Sequence, residues 1–161
     1  MNIFKFLKDK IFKPKPKPVT IVDEELGTFT LDKYGWFENE VDWLGEQCTV
    51  SLRYDEASED AARQALDVFK KIYSDRESLD VKFRKFAAEC LTDIVNDFWL
   101  EEGAEEITKE QFAARISIGF MWVYADGDYQ VFFDDDDMFH EHSIVLEGSI
   151  EQGLKNADIW G

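Results

Sequence analysis

Arg115-Ile116-Ser117-Ile118-Gly119-Phe120-Met121-Trp122-Val123-Tyr124, then Ala125-Asp126-Gly127-Asp128, then Tyr129-Gln130-Val131-Phe132-Phe133 reads as the clearest hairpin in the chain. Two runs of period-two alternation flank a short turn rich in Asp and Gly, the pattern of antiparallel strands. That alternation puts Ile116, Ile118, Phe120, Trp122 and Tyr124 on one face. Trp43, Trp99 and Trp122 are accordingly expected in the core, while Tyr34 and Trp36, beside a turn, are the aromatics expected at the surface.

Directly after the hairpin come Asp134-Asp135-Asp136-Asp137-Met138-Phe139-His140-Glu141-His142, four consecutive carboxylates and the only two histidines of the chain. Carboxylates suit magnesium, calcium or manganese, and imidazole adds zinc or iron. Alternate side chains at a strand end point oppositely, so Asp135 and Asp137 are expected to converge while Asp134 and Asp136 point away. Asp135, Asp137 and His142 are thus the candidate ligands of a divalent cation. The spacing matches neither an EF-hand loop nor HExxH. A solvated acidic loop that shields a strand edge explains the same residues without any ligand, and Asp134, Asp136 and Glu141 with Tyr34 and Trp36 form the alternative candidate interaction surface. His142 also suits a structural role as the charged partner of a neighbouring carboxylate. No GxSxG, GxGxxG or P-loop sequence is present.

Ser143 to Glu147 is apolar enough for one more strand, and 149–161 is mixed. On the N-terminal side, Thr108 and Gln111 have capping-box spacing for a short helix to about Ala114. Phe83, Ala87, Cys90, Leu91, Ile94 and Phe98 keep a 3-4 spacing that predicts a long helix, and Ser58 caps a helix running to about Tyr73. Before these, Phe29 and Leu31, then Phe37, Val41 and Trp43, then Cys48, Val50 and Leu52 alternate with polar residues as three strands with one wet face. The expected fold is α+β: an antiparallel sheet made of an N-terminal three-strand meander plus the C-terminal hairpin and strand, covered by two to three helices. Residues 20–161 form one domain, preceded by a distinct segment, 1–19.

That segment holds six lysines and one aspartate, net +5, which leaves −22 on residues 19–161. Ile3, Phe4, Leu7 and Ile11 share a helical face, and Lys13-Pro14-Lys15-Pro16-Lys17-Pro18 cannot remain helical. Weak contact of residues 1–13 with an anionic membrane surface is one use of such a segment, and a disordered or domain-docked tail is the other reading. The acidic body repels phosphate backbones, which argues against nucleic acid and for a basic protein partner. Cys48 and Cys90 form no CxxC pair and both read as small core residues. With no secretory signal and no apolar run of membrane length, the chain is expected in the cytoplasm.

Gly27-Thr28-Phe29-Thr30-Leu31-Asp32, Gly35-Trp36-Phe37, Val41-Asp42-Trp43-Leu44-Gly45, Asp136-Asp137-Met138-Phe139, His142-Ser143-Ile144 and Ala157-Asp158-Ile159-Trp160-Gly161 occur in this order. Together they resemble the bacterial domain of unknown function 2262 over Gly27 to Gly161. The family pattern has a Trp-Gly pair where this chain has His140-Glu141, so His142 is the histidine that matches. The family brings no established reaction. Its resemblance to small acidic domains found beside polymorphic toxins implies an immunity-type protein that binds and blocks a partner such as a basic nuclease toxin. The competing expectation is a metal-dependent hydrolase with Glu141 as general base.

Overall fold

A computed structural model describes residues 16–54 and 58–161. The amphipathic reading of residues 1–13 falls outside the described residues. The strands are β1 (Thr20–Asp23), β2 (Gly27–Leu31), β3 (Phe37–Trp43), β4 (Glu46–Arg53), β5 (Ser117–Tyr124), β6 (Asp128–Asp134), β7 (Ser143–Ser149) and β8 (Gly153–Trp160). The helices among the described residues, all between β4 and β5, are α1 (Glu59–Ser74), α2 (Arg76–Ile94) with a π-helical turn at Val95–Trp99, and α3 (Lys109–Arg115).

All eight strands join one sheet in sequence order, and every pair is antiparallel except β4–β5, which is parallel. The α+β class is therefore correct, but the sheet is larger than a three-strand meander plus a hairpin and strand. β1 was missed because only Ile21 of its four residues is buried. β8 was missed because edge position leaves its alternation faint, with Ala157 its one buried residue. The parallel pair follows from the helices, since adjacent parallel strands need a long crossover.

One face of the sheet carries the core. Phe29, Trp43, Val50, Met121, Val131 and Ile144 are each at most 1% exposed, and full burial of such a side chain contributes about 2–3 kcal/mol. α1 lays Ala62, Ala65, Leu66, Phe69 and Ile72 on this face; its first turn is held by Ser58, whose Oγ accepts from the Ala61 N–H at 3.1 Å. The Thr108–Gln111 capping box of α3 forms in both directions. α2 is anchored by Asp80, which accepts from Trp43 Nε1 at 3.0 Å and Arg84 Nε at 2.8 Å, while Arg84 also donates to the Ile116 carbonyl. These bonds tie α2 to β3 and to the entry of β5.

Two details of α2 depart from the periodic reading. Cys90 is exposed, because the buried stripe runs through Phe83, Ala87, Ala88 and Leu91. The wide π turn then shifts the phase, leaving Phe98 79% exposed and bringing Trp99 onto Phe139. Cys48, by contrast, is fully buried, and desolvation pushes its pKa up to about 12.

Candidate interaction surface

The acidic run closes β6 as a tight turn. Asp134 Oδ1 accepts from the Asp136 N–H at 3.0 Å. Asp135 is buried, and its two oxygens accept from the N–H groups of Asp137 (3.2 Å) and Phe139 (2.6 Å). Arg115 reaches across from α3 to the Asp136 carboxylate at 2.9 Å and to its carbonyl at 3.0 Å. Asp136, Asp137 and His140 have φ of 49°, 61° and 56°, a left-handed conformation that Asp and His tolerate better than bulky residues. The turn drives Met138 and Phe139 into the core, where the Phe139 ring meets Trp99 and Phe112.

His142 packs edge-on against Trp99 with ring centroids 5.1 Å apart, and its Nδ1 lies 3.1 Å from the Phe139 carbonyl. Asp137, His140 and Glu141 are exposed. The structure thus separates the three candidate ligands: Asp135 faces inward onto backbone N–H groups, Asp137 faces solvent, and His142 braces an aromatic ring. Among the described residues no three His, Cys, Asp or Glu side chains are grouped to hold a metal ion.

A different cluster forms on the sheet face opposite the helices. In β5 the register shifts between Ile118 and Phe120, a bulge at Gly119. The extra residue flips the alternation: Ile116 and Ile118 stay in the core, whereas Phe120, Trp122 and Tyr124 turn to the other face, so the single shared face expected from the sequence is corrected here. β6 adds Phe132 to that face opposite Phe120, β4 adds Ser51 and Arg53, and β8 adds Trp160.

The rings form a continuous row. Trp160 and Phe132 are 6.0 Å apart, Phe132 and Trp122 4.7 Å, and Phe120 contacts both Phe132 and Trp122 edge-on at 5.9 and 6.3 Å. Beyond Trp122 stands the Arg53 guanidinium, 4.2 Å from the Trp122 ring and 4.6 Å from the Trp36 ring. A guanidinium between two indoles is favoured by cation–π attraction of about 0.5–2 kcal/mol per ring. Its burial pulls the Arg53 pKa below the ordinary arginine value, with the nearby Tyr124, Glu38 and Asp32 opposing the shift.

The β2–β3 turn holds Trp36 in place. Asp32 Oδ1 accepts from the N–H groups of both Tyr34 and Trp36 at 2.8 Å, Gly35 adopts φ 90°, and the Tyr54 hydroxyl donates to the Gly35 carbonyl at 2.5 Å. Tyr34 is left 71% exposed at the rim. Asp32, Tyr34, Trp36, Glu38, Arg53, Phe120, Trp122, Phe132 and Ser143 line an open cleft of about 580 Å³. Asp32 and Glu38 have no ion-pair partner among the described residues. Arg53 Nε and Trp122 Nε1, beneath the cleft, and Ser51 Oγ in β4 are buried without a hydrogen-bond partner among the same residues.

Tyr34 and Trp36, singled out from sequence, therefore sit with Arg53, Phe120, Trp122 and Phe132, which were not. Asp136 and Glu141 belong to the separate acidic turn, and Asp134 stands between the two, two residues after Phe132 on the same side of β6. The one sequence signal for the missed residues is Gly119, an isolated glycine in an alternating strand.

No helix among the described residues is long and apolar enough to cross a membrane. Comparison with curated proteins finds no match, and comparison with solved structures finds none either. A family model does match residues 23–159, from the last residue of β1 into β8, and the chain belongs to that family, described as "Uncharacterized protein conserved in bacteria (DUF2262)".

Proposed function

We propose that this chain is a non-enzymatic protein-binding module whose open sheet face receives a basic partner, in the manner of an immunity protein covering a cationic toxin. The observation that carries this reading is the row of rings and Arg53 on the face opposite the core. A sheet face left to solvent alone is ordinarily polar, and a contiguous aromatic patch with a polar rim is the composition of an interface centre. Trp and Arg in the row and Tyr34 at its rim are the residue types that dominate binding energy. The acidic rim and the net −22 of residues 19–161 steer a cationic partner toward the patch and raise its association rate.

Affinity capture from the bacterium that encodes the chain tests this reading, using the wild type beside Trp122→Ala and Glu38→Gln. A basic protein retained by the wild type, released at rising salt and lost in Trp122→Ala is the expected result. An identical set of retained proteins for all three chains counts against it.

A further inference from the structure

The basic N-terminal segment joins the domain at the rim of the aromatic face. Resting on the partner-binding reading above, we propose that the chain's own residues 3–12 dock on this face and mask it, so that a partner must displace them. The Val19 carbonyl accepts from the Leu31 N–H at 2.9 Å and Thr20 pairs with Thr30, so the residues before β1 leave the sheet level with Asp32. Asp32 opens the turn that carries Tyr34 and Trp36, where the cleft begins. Residues 16–19 are exposed at this point.

Length and chemistry both fit. Residues 13–18 reach about 19 Å as an extended polyproline-type run, and residues 3–12 measure about 15 Å as a helix. The strands from β3 to β6 cover about 14 Å, so such a helix lies over the row from Trp36 to Phe132. β3 borders the row with Glu38, Glu40 and Asp42, which alternate with the buried Phe37, Val41 and Trp43. Asp32 and Glu38 have no ion-pair partner among the described residues, and residues 1–18 bring net +5 to them. Ile3, Phe4, Leu7 and Ile11 on one helical face, flanked by Lys8 and Lys10, would set apolar area over the rings and cations over the carboxylates. A second copy presents the same acidic rim, and face-to-face pairing would set like charges together.

The tether makes even a weak contact count. A short linker holds its segment at an effective concentration on the order of 1 mM. With a dissociation constant of about 0.1 mM as a free peptide, the segment occupies the face about 90% of the time and weakens a competitor about tenfold.

A nitroxide carried by Asn2→Cys in a full-length Cys90→Ser background tests the docking, Cys48 being fully buried. The indole N–H resonances of Trp36 and Trp122 are expected to broaden more than that of Trp99, which packs beside the acidic turn, and to recover when Phe4→Ser and Leu7→Ser are added. Equal broadening of all the indoles, or the strongest at Trp99, overturns the inference. So does undiminished broadening of isotope-labelled chains by separate spin-labelled chains, which makes the contact one between copies. A synthetic peptide of residues 1–15 is then titrated into full-length wild type and into full-length Phe4→Ser with Leu7→Ser. The variant, its face unmasked, is expected to bind at least fivefold more tightly than wild type, and adding Tyr34→Ala to weaken that binding severalfold. Equal affinity for wild type and variant overturns the masking. If the segment does not dock while capture of a basic protein still depends on Trp122, this inference alone fails; if it docks while capture ignores Trp122, the partner-binding reading fails and the docking stands.

Discussion

The acidic turn from Asp134 to His142 and the aromatic row from Trp36 to Trp160 use their side chains in opposite ways. In the turn, reactive-looking groups face their own backbone: Asp134 and Asp135 accept from N–H groups two to four residues ahead, and Asp136 is held by Arg115. In the row, side chains of the core-forming type face away from the core, with buried polar atoms among them that have no partner among the described residues. A dense run of carboxylates is a local property, satisfied locally. A face assembled from the β2–β3 turn, β4, β5, β6 and β8 exists only once the register is set.

The contrast breaks most visibly in stability. Asp135→Ala strands two N–H donors at the base of the turn and should cost about 3 kcal/mol, since buried donors lose about 1–3 kcal/mol each when unpaired. Urea unfolding measures it, and a loss below about 0.5 kcal/mol would make the turn an ordinary solvated loop. Next in size, Trp122→Ala should weaken partner binding by about 2 kcal/mol, roughly thirtyfold, as expected for a ring at the centre of an interface. Calorimetric titration reads this directly, and an unchanged dissociation constant places the contact elsewhere.

A smaller effect concerns acid stability. Asp23 is held below its ordinary value of 3.8, chiefly by the Lys70 hydrogen bond at 2.7 Å. A carboxyl with a lowered folded pKa contributes fully above its unfolded value and loses that contribution as the pH falls through the folded one. Asp23→Asn should therefore flatten the fall in stability below pH 3.8 and change it only slightly at pH 7, the pair being partly exposed. Smallest of all is the response to divalent ions. Magnesium, calcium, manganese and zinc at matched ionic strength should shift the melting temperature equally or not at all, whereas a specific site at a hundred times its Kd adds about 2.7 kcal/mol. A shift with one ion, lost in Asp137→Asn, would reopen the acidic turn as a ligand site.

Much of the architecture was legible because it rests on local rules. Ser58 and the Thr108–Gln111 pair begin their helices as capping chemistry requires, and the β5–β6 hairpin pairs as its alternation indicates. The failures trace to interactions that spacing does not encode. One bulge at Gly119 reversed the facing of Phe120, Trp122 and Tyr124, which builds an aromatic face that alternation alone does not announce. A five-residue π turn moved Phe98 out of the stripe. Tyr34 and Trp36 were found from their turn, but Arg53 sits among Thr49 and Ser51 on a face that reads as polar, and only tertiary structure puts two indoles around it.

The central claim is that the partner contacts the aromatic face and not the acidic turn. Binding of the captured basic protein should be compared for two double variants that alter only exposed or partly exposed side chains, Tyr34→Ala with Glu38→Gln and Asp137→Asn with Glu141→Gln, each removing no buried ring. The account predicts a loss of at least tenfold for the first pair and less than threefold for the second, at unchanged melting temperature. A loss concentrated in the second pair would place the interface on the acidic turn and contradict the account.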